Sequence, residues 1–436
     1  MGAIEPGIYK KILAVRQARS FDAGGLLMRF YSYMTNIGVV TMLTLSGYSF
    51  LMAGLVASTI ALAVFLISPR IAKLIDRRGQ SAVLPKAACL PVAGTAAMLA
   101  CVAAHAPVGV LFPLAVLMGS APSPQALVRA RWTYLLRTGK LGTGSGAPSL
   151  HGVFSYEAVL DDIGFMVAPA LSIFLASTIA PIAGMAFGIG AFAVGAALVT
   201  LSRSTEPVPG WTAAGDADDA DAPVGLAADA AALPAEGEAA ERAVRSKSIF
   251  RTSAVVRILF CLMFFLGAFF GALDTTTVSF AEELGNPNIA SMALMMQAAM
   301  SVVMGFVFGM VRLPFRQSTQ LVITAVLFGC AFACTAFIDS APLLFLITVP
   351  ASLFYAPFLI TINATCEGAV PGSRFTEAIT WVNAGITCGM TLGPTMAGAI
   401  VDGWGTLAAF KVGGAVVALT AVTALVFSGT LRRNVR

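Results

Sequence analysis

Apolar runs of about 20 residues follow one another along this chain with only short polar breaks between them. That succession limits the possible folds more than any motif does, because a helix needs roughly 20 mostly apolar residues to cross a hydrocarbon core. The runs lie at approximately 22–47, 49–68, 82–104, 107–136, 151–174, 179–202, 254–281, 288–312, 318–338, 341–365, 374–400 and 404–430. They are apolar nearly all round, so they read as lipid-embedded helices and not as the amphipathic helices of a soluble core. A composition of 58% hydrophobic and 11% charged residues agrees. The expectation is an all-α integral membrane protein with about 12 transmembrane helices.

Charge sets the topology. With a cytoplasmic N-terminus, all but two of the 27 Lys and Arg fall in cytoplasmic loops, tails or helix ends. The exceptions are Arg29, inside the first run, and Lys411, in the outer part of the last. The outer loops carry acids only, among them Glu282, Glu283, Asp339 and Asp402. This is the positive-inside bias, and it predicts a multi-pass protein of the cell membrane with both termini cytoplasmic. The basic balance follows from that bias, so no nucleic-acid partner is expected. The first run follows Lys10, Lys11, Arg16 and Arg19 and is too long for a signal-peptide core, so the N-terminus is expected to be retained. Seven cysteines form no CxxC pair, and His105 and His151 lie far apart, which supports neither a disulfide framework nor a metal site. Cys330 and Cys334 share a helix face but read as small buried thiols. The stretch GKLGTGSGAPS lacks the spacing of a phosphate-binding loop, so no cofactor is expected.

Residues 206–241 interrupt the pattern with nine of the chain's 22 acids and few large apolar residues. Such a segment buries too little surface to offset the entropy of ordering. A basic stretch comes next, with Arg242, Arg245, Lys247, Arg251 and Arg257. The organisation expected is a six-helix half over 1–205, an acidic cytoplasmic linker with a basic end over 206–250, and a second six-helix half over 251–436. The fifth span of each half begins with Glu-Ala (Glu157, Glu377) and later reaches a proline (Pro169, Pro394), a weak sign of duplication. Gly389, Gly393 and Gly398 leave a surface where another helix can come close, for packing or for gating.

Charges within the runs need a reason, since each costs on the order of 2.5–3.5 kcal/mol at a helix centre. The fifth run contains Glu157, Asp161 and Asp162. Glu157 and Asp161 share a face, and Asp162 is turned about 100° from them. Arg29 is the basic residue deep in the first half and the natural partner, with Tyr33 one turn on and Asn36 beyond it. Three roles fit: an ion-pair network bracing helices, a proton-coupling site, or direct substrate contact. In the second half Asp274, Gln297, Tyr355, Asn363, Trp381 and Asn383 are candidates for a polar and aromatic substrate cavity. Pro122, Pro124 and Pro357 can kink their helices toward it.

The loop SPRIAKLIDRRGQS between the second and third runs carries a resemblance. Asp76, Arg77 and Gly79 match in order and spacing the cytoplasmic signature of the major facilitator superfamily. Ala72 stands at a usual glycine, and Gln80 and Ser81 replace the terminal basic pair. With two halves of six spans and a central linker, the resemblance covers the whole chain. It implies two six-helix halves around a central cavity, working by alternating access. It also implies a gating role for Asp76, Arg77 and Gly79, with Asp76 meeting the start of the eleventh helix near 373–374 and Arg129 or Arg131 at the end of the fourth. The antiporter branch often carries a Gly-Pro motif in helix five, where this chain has Gly164, Ala168 and Pro169. The function implied is a secondary transporter for a small molecule, not an enzyme, with protons and the lipid bilayer as partners, acting as a monomer. Efflux by antiport is preferred over uptake by symport, and a membrane sensor or scaffold on the same fold is the alternative.

Overall fold

The structure is a computed structural model that describes residues 8–140, 148, 150–209, 249–310, 315–370 and 375–434; among these it contains helices and no strand. The chain forms two compact units, residues 1–223 and 224–436. Among the described residues ten helical spans are long and apolar enough to cross a membrane, and Val108–Met118 is a shorter apolar helix.

The first unit runs α1 (Ile8–Ala14), α2 (Arg16–Leu45), α3 (Phe50–Arg78), α4 (Gln80–Ala103), α5 (Leu111–Met118), α6 (Pro124–Arg137), α7 (Leu150–Thr178) and α8 (Ala183–Leu201). Helix α2 packs against α3, α6, α7 and α8. It can lie close to α8 because small residues meet there: a Cβ on Gly24 would stand 2.7 Å from the Gly195 carbonyl oxygen. Met28, Tyr31, Val39 and Leu43 of α2 join Val56, Leu84, Met98 and Phe192 in the larger core. Around the start of α2, Ile12, Phe21, Val128, Trp132, Leu135 and Val153 form a smaller one. Helix α3 begins with the Ser49 hydroxyl capping the Met52 N–H. It turns into α4 through Gly79 alone, whose φ of +90° lies in the left-handed region that favours glycine.

Two of the twelve expected spans are absent from the ten. Helix α2 is long enough, but Asp22, Arg29, Asn36 and several hydroxyls lower its apolar character. The fourth span, expected as one helix over 107–136, is broken between α5 and α6 at 119–123. Pro122 lies in the break, and Pro124 occupies the first turn of α6, where the missing N–H costs nothing. Ser123 caps that helix through the Ala126 N–H. The linker expected from 206 begins as part of the first unit, since Glu206 Oε1 accepts the Ser81 N–H at 2.8 Å at the start of α4. Most of its remainder lies outside the described residues.

The second unit runs α9 (Ile249–Thr252), α10 (Ala254–Glu283), α11 (Asn288–Met310), α12 (Gln317–Ala333), α13 (Ala341–Ala351), α14 (Tyr355–Ala369), α15 (Phe375–Trp404), α16 (Thr406–Val426) and α17 (Ser428–Asn434). Helix α10 lies along α15 and α16. Gly385, Gly389 and Gly393, spaced by four, face the carbonyls of Phe260, Phe264 and Ala268 on α10, so the two backbones touch. Phe269, Phe328, Phe332 and Phe358 form the aromatic part of the core. The tenth span is interrupted by a single 3-10 turn, Ser352–Phe354, just ahead of Pro357. Pro357 has no N–H to give the Leu353 carbonyl, which favours the interruption at that point.

Candidate functional site

The ionisable residues of the first unit come together where α2, α6 and α7 meet. Arg29 and Glu157 form an ion pair with neither side chain exposed. Arg29 Nε also lies 3.1 Å from Asp161 Oδ1, so one guanidinium serves both acids on the shared face of α7. Arg129 Nη2 reaches Asp161 Oδ2 at 3.1 Å from α6. The Tyr33 hydroxyl donates to Asp161 Oδ1 at 2.9 Å, and Gln125 Nε2 donates to the Tyr33 hydroxyl at 3.0 Å. Gly164 provides room for the Tyr33 ring, since a Cβ there would stand 3.0 Å from it.

Asp22 extends this network, beyond the residues expected from the sequence. Its Oδ1 accepts the Trp132 indole N–H at 2.8 Å, and Arg29 and Glu157 are near enough to act on its charge. Helical spacing carries the signal: Asp22 precedes Arg29 by seven residues, about two helical turns, and so shares its face. Gln125, Arg129 and Trp132 likewise share one stripe of α6. The network therefore has a buried end, with Asp22, Arg29 and Glu157, and a more accessible rim, where Asp161 and Arg129 are 20% and 25% exposed. Four buried atoms of the network keep no hydrogen-bond partner among the described residues: Glu157 Oε1, Arg29 Nε, Arg29 Nη1 and Arg129 Nε. Asp162 is on α7, but its side chain lies outside the described residues.

Of the two arginines expected near Asp76, the structure engages both elsewhere. Asp76 is exposed in the last turn of α3 and makes no ion pair among the described residues, while Arg77 is exposed beside it. Arg129 is held by Asp161 instead. Arg131 is fully buried and donates to Gln80 Oε1 (2.7 Å), the Ser202 carbonyl (2.5 Å), Thr205 Oγ1 (2.8 Å) and the Val199 carbonyl (2.8 Å). A planar guanidinium with five donors suits that many acceptors at the end of α8. The other partner expected for Asp76, near 373–374, lies outside the described residues.

In the second unit, Asp274 is half-buried on α10. Gln297 is buried on α11, with its amide nitrogen lacking an acceptor. Tyr355 opens α14 with its ring 4.8 Å from Phe270, edge-on. Asn363 and Asn383 are exposed, and Asn36 in the first unit is half-buried. Trp381 stacks on Phe250 of α9 at 4.7 Å and 30°, so one face of its ring is already covered.

Comparison with known proteins bears on both units. Residues 259–435 match the family model of the Major Facilitator Superfamily. The fold of nearly the whole chain recurs in solved membrane transporters. The family likeness thus covers the second unit, and the likeness of fold covers nearly the whole chain. Among its structural neighbours is the nucleoside transporter NupG, with 14% identity, a TM-score of 0.67, and coverage of 96% of this chain and 99% of that one. The POT family transporter PepTSo gives 12% identity and a TM-score of 0.68 over 96% and 98%. A bacterial homologue of the human lysosomal transporter Spinster, inward-facing and unoccupied, gives 14% and 0.60 over 100% and 98%. At these identities the likeness is one of fold. A sequence search of curated proteins finds no match. The ion network of the first unit is the part of the molecule whose chemistry most needs a function.

Proposed function

We propose that the chain is a proton-coupled secondary transporter that exports a small molecule by antiport, in the cell membrane with both termini cytoplasmic. The observation that carries this reading is the charge balance of the network. Asp22, Glu157 and Asp161 bring three carboxyls together, against two guanidiniums, Arg29 and Arg129. An uncompensated charge in a low-dielectric site is costly, so the surplus carboxylate is expected to hold a proton. A proton held beside ion pairs can be exchanged when the pairs rearrange, and that exchange is the coupling step. The rim formed by Tyr33, Gln125, Arg129 and Asp161 offers both the proton entry and polar contact for a substrate. Proton-driven uptake is the competing direction.

The test is flux in proteoliposomes under an imposed pH gradient, with a panel of nucleosides, short peptides and lipophilic organic cations. Export is expected as accumulation against the compound's gradient when the proton gradient runs the opposite way. Accumulation in the same direction as protons would establish uptake. Flux unaffected by the pH gradient would remove the proton, and no flux with any compound would favour a sensor or scaffold.

A further inference from the structure

We propose that residues 202–209, which leave α8, form a strap latched over the α3–α4 turn by Glu206, and that this latch regulates the ion network, resting in this on the coupling proposed above. Helix α4 follows α3 at once, and its N-cap, Gly79, has no side chain to accept an N–H of the first turn. Glu206, 125 positions further along the chain, supplies the acceptor, its Oε1 taking the Ser81 N–H at 2.8 Å. A carboxylate suits that end of a helix, where the backbone dipoles are positive. Gly79 also makes the room, since a Cβ there would stand 2.9 Å from Glu206 Oε1 and 3.3 Å from Pro209 Cγ. The strap thus crosses the turn at a residue without a side chain.

The strap is rooted on α6. Fully buried Arg131 donates to the Ser202 carbonyl and to Thr205 Oγ1, and through Nε to Gln80 Oε1 in the turn itself. Gln80 in turn gives Nε2 to the Leu127 carbonyl of α6 at 3.2 Å. Exposure rises along the strap: Thr205 is buried, Glu206 and Pro207 are half-buried, and Val208 and Pro209 are exposed. Among the described residues Glu206 is the last to bond the turn, so opening the strap comes down to that one bond. A single hydrogen bond at a half-buried site is weak enough to break and re-form.

What the latch acts on is set by α6. Arg131 stands between Arg129, which pairs with Asp161, and Trp132, which donates to Asp22. The break at 119–123 separates α6 from α5, so the place of this 14-residue helix depends on side-chain contacts. A short rigid helix passes a shift at one residue to its neighbours. With the latch closed, Arg131 is gripped by the strap and by Gln80, and Arg129 is kept on Asp161. With the latch open, the first turn of α4 loses its cap, Gln80 loosens, and the Arg129–Asp161 pair is freer to part. Parting of that pair is the rearrangement the coupling needs, and an open latch permits it with no compound bound.

Hydrogen exchange of the full chain, purified in detergent, tests the latch with E206A and E206Q. E206A is expected to quicken exchange about fivefold over 79–84, the effect of a lost helix cap, and to quicken it also over 126–134 of α6. E206Q keeps an oxygen for the Ser81 N–H and should recover most of the protection. Unchanged exchange over 79–84 in E206A, a response confined to 79–84, or E206Q as fast as E206A would overturn the inference. In vesicles, E206A should accumulate less compound than the unaltered chain for the same pH gradient, because protons slip through the loosened pair. E206Q should match the unaltered chain. Normal accumulation in E206A would overturn the regulatory role and leave the coupling in place. Exchange that responds as expected in a chain that moves no compound of the panel would overturn the transporter reading and leave the latch standing.

Discussion

Arg29 and Glu157 meet as an ion pair in which neither side chain is exposed, joining α2 to α7 inside the first unit. A pair buried this deeply is weak evidence for stability by itself, because desolvating both ions offsets much of their attraction. Removing one partner is a different matter, since the other ion stays buried with its charge unmatched.

Arg29→Met is expected to lower stability by about 3–5 kcal/mol, since Glu157 is left as an uncompensated buried charge. The double variant R29M/E157L should recover a large part of that loss, because it removes both charges and fills the space with apolar groups. Thermal melting of the purified protein in one detergent compares the two variants with the unaltered chain. A double variant no more stable than R29M would show that the pair does not act as a unit.

Asp161 has a different place, accepting from Tyr33 and pairing with both Arg29 and Arg129 while remaining partly accessible. D161N is expected to keep the fold, because the amide can still accept the Tyr33 hydroxyl. It should lose accumulation driven by a pH gradient, down to the level of protein-free vesicles, while exchange of labelled for unlabelled compound at equal pH persists. The paired flux assays check this, and retained pH-driven accumulation would move the coupling away from Asp161.

Arg131→Lys tests the clasp at the end of α8. Lysine offers three donors on one nitrogen, and Gln80, Val199, Ser202 and Thr205 lie around a planar fork. At least one buried acceptor should lose its donor, at about 1–3 kcal/mol. Melting measures the loss, and hydrogen exchange should quicken in the backbone from Leu198 to Glu206. Unchanged exchange there would show that Arg131 is not what holds this end of the helix.

Lipid selects for apolar length, and so most spans are legible from hydropathy, including those whose packing is unusual. The fourth span reads as continuous because its residues stay apolar across 111–121, and hydropathy does not register where a backbone turns. Arg129 and Arg131 illustrate a second limit. A basic residue that fixes topology and one that neutralises an intramembrane acid look alike in sequence, and only the position of Asp161 separates them. Asp22 is inconspicuous because it sits at the edge of the first apolar run, where an acid is ordinary by composition. The face shared by Glu157 and Asp161, by contrast, follows directly from helical spacing, and Arg29 stands out as their partner because it is the basic residue deep in the first half.

Glycine spacing on α15 supports a final prediction with an internal control. A Cβ on Gly389 would fall well inside van der Waals contact with the Phe264 carbonyl oxygen and close to the Ala268 N–H, both backbone atoms of α10 that cannot rotate away. Gly389→Ala should therefore force α10 and α15 apart and cost about 1–3 kcal/mol, the range for overpacking a close-fitted site. Gly403 lies in the last turn of the same helix, and a Cβ there meets nothing within 4 Å. Gly403→Ala should be neutral or stabilise by about 0.4–1 kcal/mol, since alanine loses less backbone entropy on folding. Melting of the two variants side by side separates packing from intrinsic helix preference. If G389A melts with G403A, the close approach of α10 and α15 contributes little to the stability of the second unit.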